Sequence, residues 1–328
     1  MSNQTKKNVQ ASWLVADIGG TNARFAIART AGKESIVLTD FEKFTANEFN
    51  SFDETMNQFV KKIGHRPSLA VLAVAGPIND GEVKFTNRSW HLRTNEIKEK
   101  CQIGEVCLMN DFTAMAYSVT RVNSDSFIEL KSGTADPNAP ILVAGPGTGF
   151  GSCLLVGNDD KRTAIACEGG HSLFAPRTPL QHDINRVLQR SNPNVSVERI
   201  CGGGNLDALV IAMAEVHGIE VPALTPQDII ENALAGDAFC HDLCQLRADV
   251  IVASLANMAL IGGARGGVVL SGGVARHLAN FLSTPETIDN FASLWPSGEF
   301  LQDIPVRLLV NPLAPLIGAA THYLQNEA

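Results

Sequence analysis

The stretch Leu14-Val15-Ala16-Asp17-Ile18-Gly19-Gly20-Thr21-Asn22-Ala23-Arg24-Phe25-Ala26-Ile27-Ala28 decides the fold. The apolar runs on either side of Gly19-Gly20 are short, so two strands joined by a tight glycine turn are expected. Without Cβ atoms, paired glycines reach positive φ and let backbone N–H groups approach a ligand, which is how such loops cradle phosphate oxygens. Asp17 stands at the end of the first strand. Two roles suit it there: capping the turn, or holding Mg2+ beside a phosphate, directly or through water.

The pattern recurs along the chain. Ile141-Leu142-Val143-Ala144 meets Gly145-Pro146-Gly147-Thr148-Gly149, and Phe150 to Val156 resumes as a strand. Val268-Val269-Leu270-Ser271 runs into Gly272-Gly273-Val274-Ala275. The second hairpin resembles the first, which implies an internal duplication despite slight identity. Phe52, Met56, Phe59, Val60 and Ile63 recur at helical spacing and predict a helix over 52–63. Leu69 to Ala75 reads as a buried strand. Glu105 to Met109 is another, entering Asn110-Asp111 before a helix through Phe112, Met115, Ala116 and Val119. Helices are expected over 206–216, 242–262 and 316–325, and a strand over Val306 to Val310. Strands interleaved with helices indicate an α/β protein.

Composition narrows the function. At 328 residues the chain is twice the roughly 150 of one domain. Lys plus Arg number 26 against 34 Asp plus Glu, for a net charge of −8. That balance argues against nucleic acid or an acidic membrane as partner, since both reward excess cation. Apolar residues make up 45% and charged residues 18%, which excludes a disordered chain. The seven cysteines are odd in number and form no CxxC pair, and the N-terminus lacks the apolar run of a signal peptide. Reduced thiols in the cytoplasm are expected. Cys240-His241-x-x-Cys244 reads as small core residues on an apolar helix rather than as a metal site. Val250 to Ala264 is uncharged but falls short of the ~20 apolar residues of a membrane span, so a buried core helix and no membrane segment are expected.

Two common nucleotide motifs are missing. No glycine cluster is followed by Lys-Ser or Lys-Thr, so there is no P-loop. Gly145-x-Gly147 reaches Phe150 at the sixth position and continues as a strand, so it is not a dinucleotide fingerprint. Asp-x-Gly-Gly-Thr followed by a strand instead resembles the phosphate-1 hairpin of the actin-like (ribonuclease-H-like) ATPases. More specifically, residues 14–25 are similar to the start of the bacterial glucokinases. The same holds for Ala73-Val74-Ala75-Gly76-Pro77, Thr86-Asn87-Arg88-Ser89-Trp90, Asn110-Asp111-Phe112, Gly145 to Gly151, and Glu168-Gly169-Gly170-His171. These matches run in family order over nearly the whole chain.

The resemblance implies two ribonuclease-H-like α/β domains around a cleft, a smaller one of residues 1–121 plus 312–328 and a larger one of 122–311. It implies ATP-dependent phosphorylation of glucose at the 6-hydroxyl to glucose 6-phosphate, the first step of glycolysis, with ATP and Mg2+ as cofactors and a homodimer as the assembly. Asp17, Gly19, Gly20, Thr21, Asn22, Gly147, Thr148, Gly272 and Gly273 would hold the nucleotide, with Asp17 also serving Mg2+. Asn110, Asp111, Gly149, Glu168, His171 and Glu198 would hold the sugar.

The chemistry of these residue types agrees. Phosphorylating a hydroxyl calls for a base that takes its proton as the oxygen attacks in line. Asp111, between a strand and a helix, suits that role and equally suits a helix N-cap; the resemblance assigns it as the base. Carboxylates, an amide and an imidazole matched to hydroxyls reject analogues lacking an OH, because the unmatched polar group stays buried and unpaired. One departure stands out. Relatives carry Ser-Gly-Pro-Gly where this chain has Cys201-Gly202-Gly203-Gly204, and loss of the proline is expected to loosen the loop. The alternatives are a kinase for another hexose, a sugar sensor without turnover, and an ATPase that needs no sugar. Intact phosphate loops with Asp111 argue against the sensor, and Glu168-Gly169-Gly170-His171 argues against the ATPase.

Overall fold

The computed structural model describes residues 12–20, 22–31, 35–45, 48–76, 78–85, 90–158, 161–294 and 296–326. Thr21, Pro77 and Thr86-Asn87-Arg88-Ser89 lie outside the described residues. Contacts divide the chain into unit 1, Met1–Val122 with Pro312–Ala328, and unit 2, Asn123–Asn311.

Unit 1 is built on β1 (Ser12–Ile18), β2 (Asn22–Ala31), β3 (Ser35–Thr45), β4 (Leu69–Val74), the short pair β5 (Glu82–Lys84) and β6 (His91–Arg93), and β7 (Glu105–Asn110). The main sheet runs β3-β2-β1-β4-β7. β1, β2 and β3 form an antiparallel meander, and β4 and β7 then add in parallel. Every residue of β4 is buried, as parallel strands covered on both faces must be. On one face Phe25 packs against Phe52 and Phe59, with ring centroids 6.0 and 5.3 Å away. Helix Phe52–Ile63 supplies the latter two. Ser51 Oγ caps its start by accepting the Glu54 N–H, and Gly64, at φ 75°, ends it in the left-handed conformation glycine adopts without strain. Trp13 meets Tyr323 of the C-terminal helix Ala314–Asn326 at 5.5 Å. That helix packs on helix Asp111–Ser118, where a side chain at Gly318 would collide with the Ala114 carbonyl.

Unit 2 repeats the plan. Its strands are β8 (Phe127–Lys131), β9 (Ile141–Pro146), β10 (Phe150–Asn158), β11 (Lys161–Cys167), β12 (Val268–Leu270) and β13 (Val306–Leu309), in the order β11-β10-β9-β12-β13-β8. Again three strands meander antiparallel and two add in parallel, with β8 as an extra antiparallel edge. The two sheets thus share a topology although their sequences barely match. The core centres on helix Ala238–Gly262, which buries Leu243, Ile251 and Leu255 completely. Among the described residues it is the one helix long and apolar enough to cross a membrane. It starts earlier than the apolar spacing predicts because Asp237 caps it, accepting the Cys240 N–H at 2.8 Å. All seven cysteines are free thiols. Burial pushes Cys240 and Cys244 up to about 11, as expected of thiols in a core. No group of three or more His, Cys, Asp or Glu suited to a metal occurs among the described residues.

Candidate active site

The expected site residues fall into two sets. Asp17, Gly19, Gly20, Asn22, Asn110 and Asp111 belong to unit 1; Gly147, Thr148, Gly149, Glu168, His171, Glu198, Gly272 and Gly273 belong to unit 2. Thr21 lies outside the described residues.

In unit 1 the turn between β1 and β2 closes with the Gly19 N–H donating to Asn22 O at 3.0 Å. A side chain at Gly20 would meet nothing within 4 Å, so this backbone borders open space, as a phosphate cradle requires. Asp17 pairs across the hairpin with Arg24, whose Nη1 donates to Asp17 Oδ2 at 3.0 Å. Burial pushes the Asp17 carboxyl above its ordinary range, and the Arg24 guanidinium partly offsets this. Sequence reasoning did not name Arg24; counting across the hairpin register, Asp17 opposite Arg24, is the signal that finds it. Mg2+ keeps several waters and takes one or two carboxylates besides substrate phosphates. A single, largely buried carboxylate beside a glycine turn fits that requirement.

Asn110 ends β7, in register with Val74 of β4. Its Oδ1 accepts the N–H groups of Phe112 at 2.9 Å and Thr113 at 3.1 Å, so the amide oxygen is spent on the helix and the Nδ2 end is the part able to donate to a hydroxyl. Asp111 is the first residue of helix Asp111–Ser118, and its Oδ1 shares the Phe112 N–H at 2.9 Å. The N-cap is therefore Asn110. Asp111, half-buried, takes the first-turn position that favours an anion.

In unit 2 the loop Gly147-Thr148-Gly149 joins β9 to β10, with Gly147 N–H donating to Gly149 O at 2.9 Å. Side chains at Gly147 and Gly273 would meet nothing within 4 Å. Gly145 (φ 154°) and Gly272 (φ 109°) do a different job: a side chain at either would collide with the other strand's end, at Ser271 O and Pro146 O respectively. The ends of β9 and β12 can therefore abut, bringing two glycine clusters together.

Glu168, His171 and Glu198 gather beside that loop. His171 Nδ1 lies 3.4 Å from Glu168 Oε2, and His171 Nε2 lies 3.7 Å from Glu198 Oε2. Glu168 and His171 are exposed, whereas Glu198 is half-buried and its Oε2 accepts the Phe150 N–H at 2.9 Å. Gly149 leaves room for this carboxylate, since a side chain there would collide with it. The loop Cys201-Gly202-Gly203-Gly204, expected to be loosened by the missing proline, is instead paired. Gly203 N–H donates to Gly147 O at 2.9 Å and Gly204 N–H to Thr148 O at 2.8 Å. A proline at 203 has no N–H and could not make the first bond.

Comparison with known proteins follows the same lines. A sequence model of the family described as Glucokinase matches residues 14–326. A glucokinase from Caulobacter sp. strain K31 is 32% identical over 308 residues, covering 94% of this chain and 93% of that one. The crystal structure of a glucokinase from an Antarctic psychrotroph superposes with a TM-score of 0.83 at 33% identity, over 95% of this chain and 98% of that one. A ROK family glucokinase from Streptomyces griseus, solved in complex with glucose and AMPPNP, shares the fold with a TM-score of 0.66 at 20% identity, over 94% and 98% of the two chains. On a match spanning nearly its full length, this chain belongs to the glucokinase family.

Proposed function

We propose that this protein transfers the γ-phosphoryl group of ATP to the 6-hydroxyl of glucose, giving glucose 6-phosphate and ADP, with Asp111 as general base. The observation that carries the reading is in unit 2. Two carboxylates and an imidazole suited to sugar hydroxyls, Glu168, Glu198 and His171, adjoin a glycine loop suited to phosphate, and Glu198 touches both. Membership of the glucokinase family supports glucose as the sugar.

In this reading the backbone N–H groups around Gly19, Gly20 and Gly147 face the phosphates, joined by the side chains of Thr21, Asn22 and Thr148, while Gly272 and Gly273 border the adenosine. Asp17 is the carboxylate that would hold Mg2+, and the ion would supply charge neutralisation at the phosphates of bound nucleotide. Glu168, His171 and Glu198 hold sugar hydroxyls together with the Asn110 amide and the Gly149 backbone. Asp111 accepts the proton of the attacking hydroxyl; in phosphoryl transfer, positioning and electrostatics supply most of the acceleration. Excluding water once sugar is bound keeps ATP from hydrolysis. The proposal extends to a cytoplasmic homodimer, whose assembly sedimentation of the purified protein measures.

The test is ADP release coupled to a reporter enzyme, with and without glucose. Glucose-dependent ADP formation is the expected result, and its absence would overturn the reading. A panel of hexoses in the same assay defines the sugar specificity.

A further inference from the structure

We propose that Glu198 is a positioning residue for the phosphate-binding loop as well as a sugar ligand, so that it couples the sugar pocket directly to nucleotide binding. This rests on the proposed function, in which Gly147-Thr148-Gly149 faces the phosphates of ATP.

Several contacts make Glu198 part of the loop's frame. Its Oε2 accepts the Phe150 N–H, the residue directly after the loop, at 2.9 Å. Because the acceptor is a carboxylate, this is a charge-assisted bond, stronger than a neutral one. The absence of a side chain at Gly149 is what lets the carboxylate approach. Below Glu198, its short helix Val197–Cys201 continues into Gly202-Gly203-Gly204, whose amides bond Gly147 O and Thr148 O. Those two carbonyls are thereby turned toward the glycine segment, so the loop is held along both its backbone and its exit.

The helix is fixed in turn by a buried cation. Arg247 of helix Ala238–Gly262 is 4% exposed, and its Nη2 donates to Cys201 O at 2.8 Å. No carboxylate pairs with Arg247 among the described residues, and its Nε is buried without a partner. A buried, incompletely paired guanidinium is costly. Its bond to Cys201 O ties helix Ala238–Gly262 to the end of the Glu198 helix.

The coupling follows from one atom. Glu198 Oε2 holds the Phe150 amide and stands 3.7 Å from His171 Nε2, so it belongs to the loop and to the sugar cluster at once. A sugar hydroxyl that orders this carboxylate also orders the phosphate loop, and bound nucleotide orders the carboxylate for sugar. Thermodynamic linkage makes the effect reciprocal.

The experiment is calorimetric titration of a non-hydrolysable ATP analogue into the unsubstituted enzyme, Glu198→Ala and Glu198→Gln, without sugar and with saturating glucose. A residue that only binds sugar leaves nucleotide affinity in the sugar-free enzyme unchanged. Here Glu198→Ala is expected to weaken it about tenfold. Glu198→Gln retains an oxygen that can accept from Phe150, so it should stay within about threefold of the unsubstituted enzyme while losing sugar affinity. Glucose should tighten nucleotide binding in the unsubstituted enzyme and not in Glu198→Ala. Equal sugar-free nucleotide affinity for Glu198→Ala and the unsubstituted enzyme would overturn the inference. Should Glu198→Ala fold poorly by circular dichroism, Glu198→Met fills similar space without an acceptor, and the same loss is expected; unchanged affinity there overturns the inference equally. Failure of the unsubstituted enzyme to bind nucleotide would instead overturn the proposed function, and this inference with it.

Discussion

Asn110 Oδ1 accepts the Phe112 amide at 2.9 Å, which makes Asn110 the cap of the helix that begins at Asp111. That leaves Asp111, whose residue type suits a cap equally, available for the proposed role of base. Serine caps as well as asparagine but carries no amide donor, whereas alanine does neither. Asn110→Ala should cost about 1 kcal/mol of stability and also raise the KM for glucose. Asn110→Ser should keep stability close to the unsubstituted level while raising the KM for glucose as much. Thermal melts and steady-state kinetics on the two variants separate the roles; equal KM values for Asn110→Ser and the unsubstituted enzyme would remove Asn110 from the sugar site.

Burial of the Asp17 carboxylate carries a cost to folding. Burial raises its carboxyl above the ordinary value of 3.8, with Arg24 only partly offsetting it. Because the native value exceeds the unfolded one, the native state binds the extra proton. Stability is therefore expected to fall as pH climbs from the ordinary value through the raised native one. Asp17→Asn removes the ionisation and can still accept from Arg24. Its melting temperature at neutral pH should equal or exceed that of the unsubstituted protein, and its pH-dependent loss should be smaller, while turnover drops steeply. A lower melting temperature at neutral pH would contradict this account.

Gly318 holds the C-terminal helix close to the helix carrying Asp111, at a point where any side chain would strike the Ala114 carbonyl. Backbone cannot yield as a flexible side chain can. Gly318→Leu should cost about 2 kcal/mol or more and lower kcat, because the helix that moves bears Asp111, the proposed base. Chemical denaturation and kinetics check both effects; a fully stable variant with intact kcat would show that the two helices need not approach so closely.

Much of this architecture was legible where a single period dominates. Helix Phe52–Ile63 matches its apolar spacing, and the strand–glycine–strand units at Asp17 and at Gly147 follow from short apolar runs broken by glycine. β3 is hard to read because, as an edge strand with much of its length exposed, it has only the short apolar run Ile36-Val37-Leu38, followed by Asp40, Glu42 and Lys43. Helices Pro179–Gln189 and Pro226–Leu234 each bury only a few residues; in the first, Leu180, Ile184, Val187 and Leu188 recur at helical spacing, which is the signal that finds it. In the site, residue types named the chemistry, but pairings did not follow from them. The bond from Phe150 N–H to Glu198 spans 48 positions. The loop at Gly203 was misjudged because the freedom a glycine gains was visible in sequence, and the carbonyl it would bond was not.

The most direct measurement is glucose phosphorylation by Asp111→Ala beside glucose binding by the same variant. Asp111 stands at the first turn of its helix without serving as the cap, so its removal should leave the fold and most sugar affinity in place. The account predicts that turnover falls to background in the ADP-release assay while calorimetry still detects glucose binding. Near-normal turnover by a folded Asp111→Ala enzyme would contradict the assignment of the base.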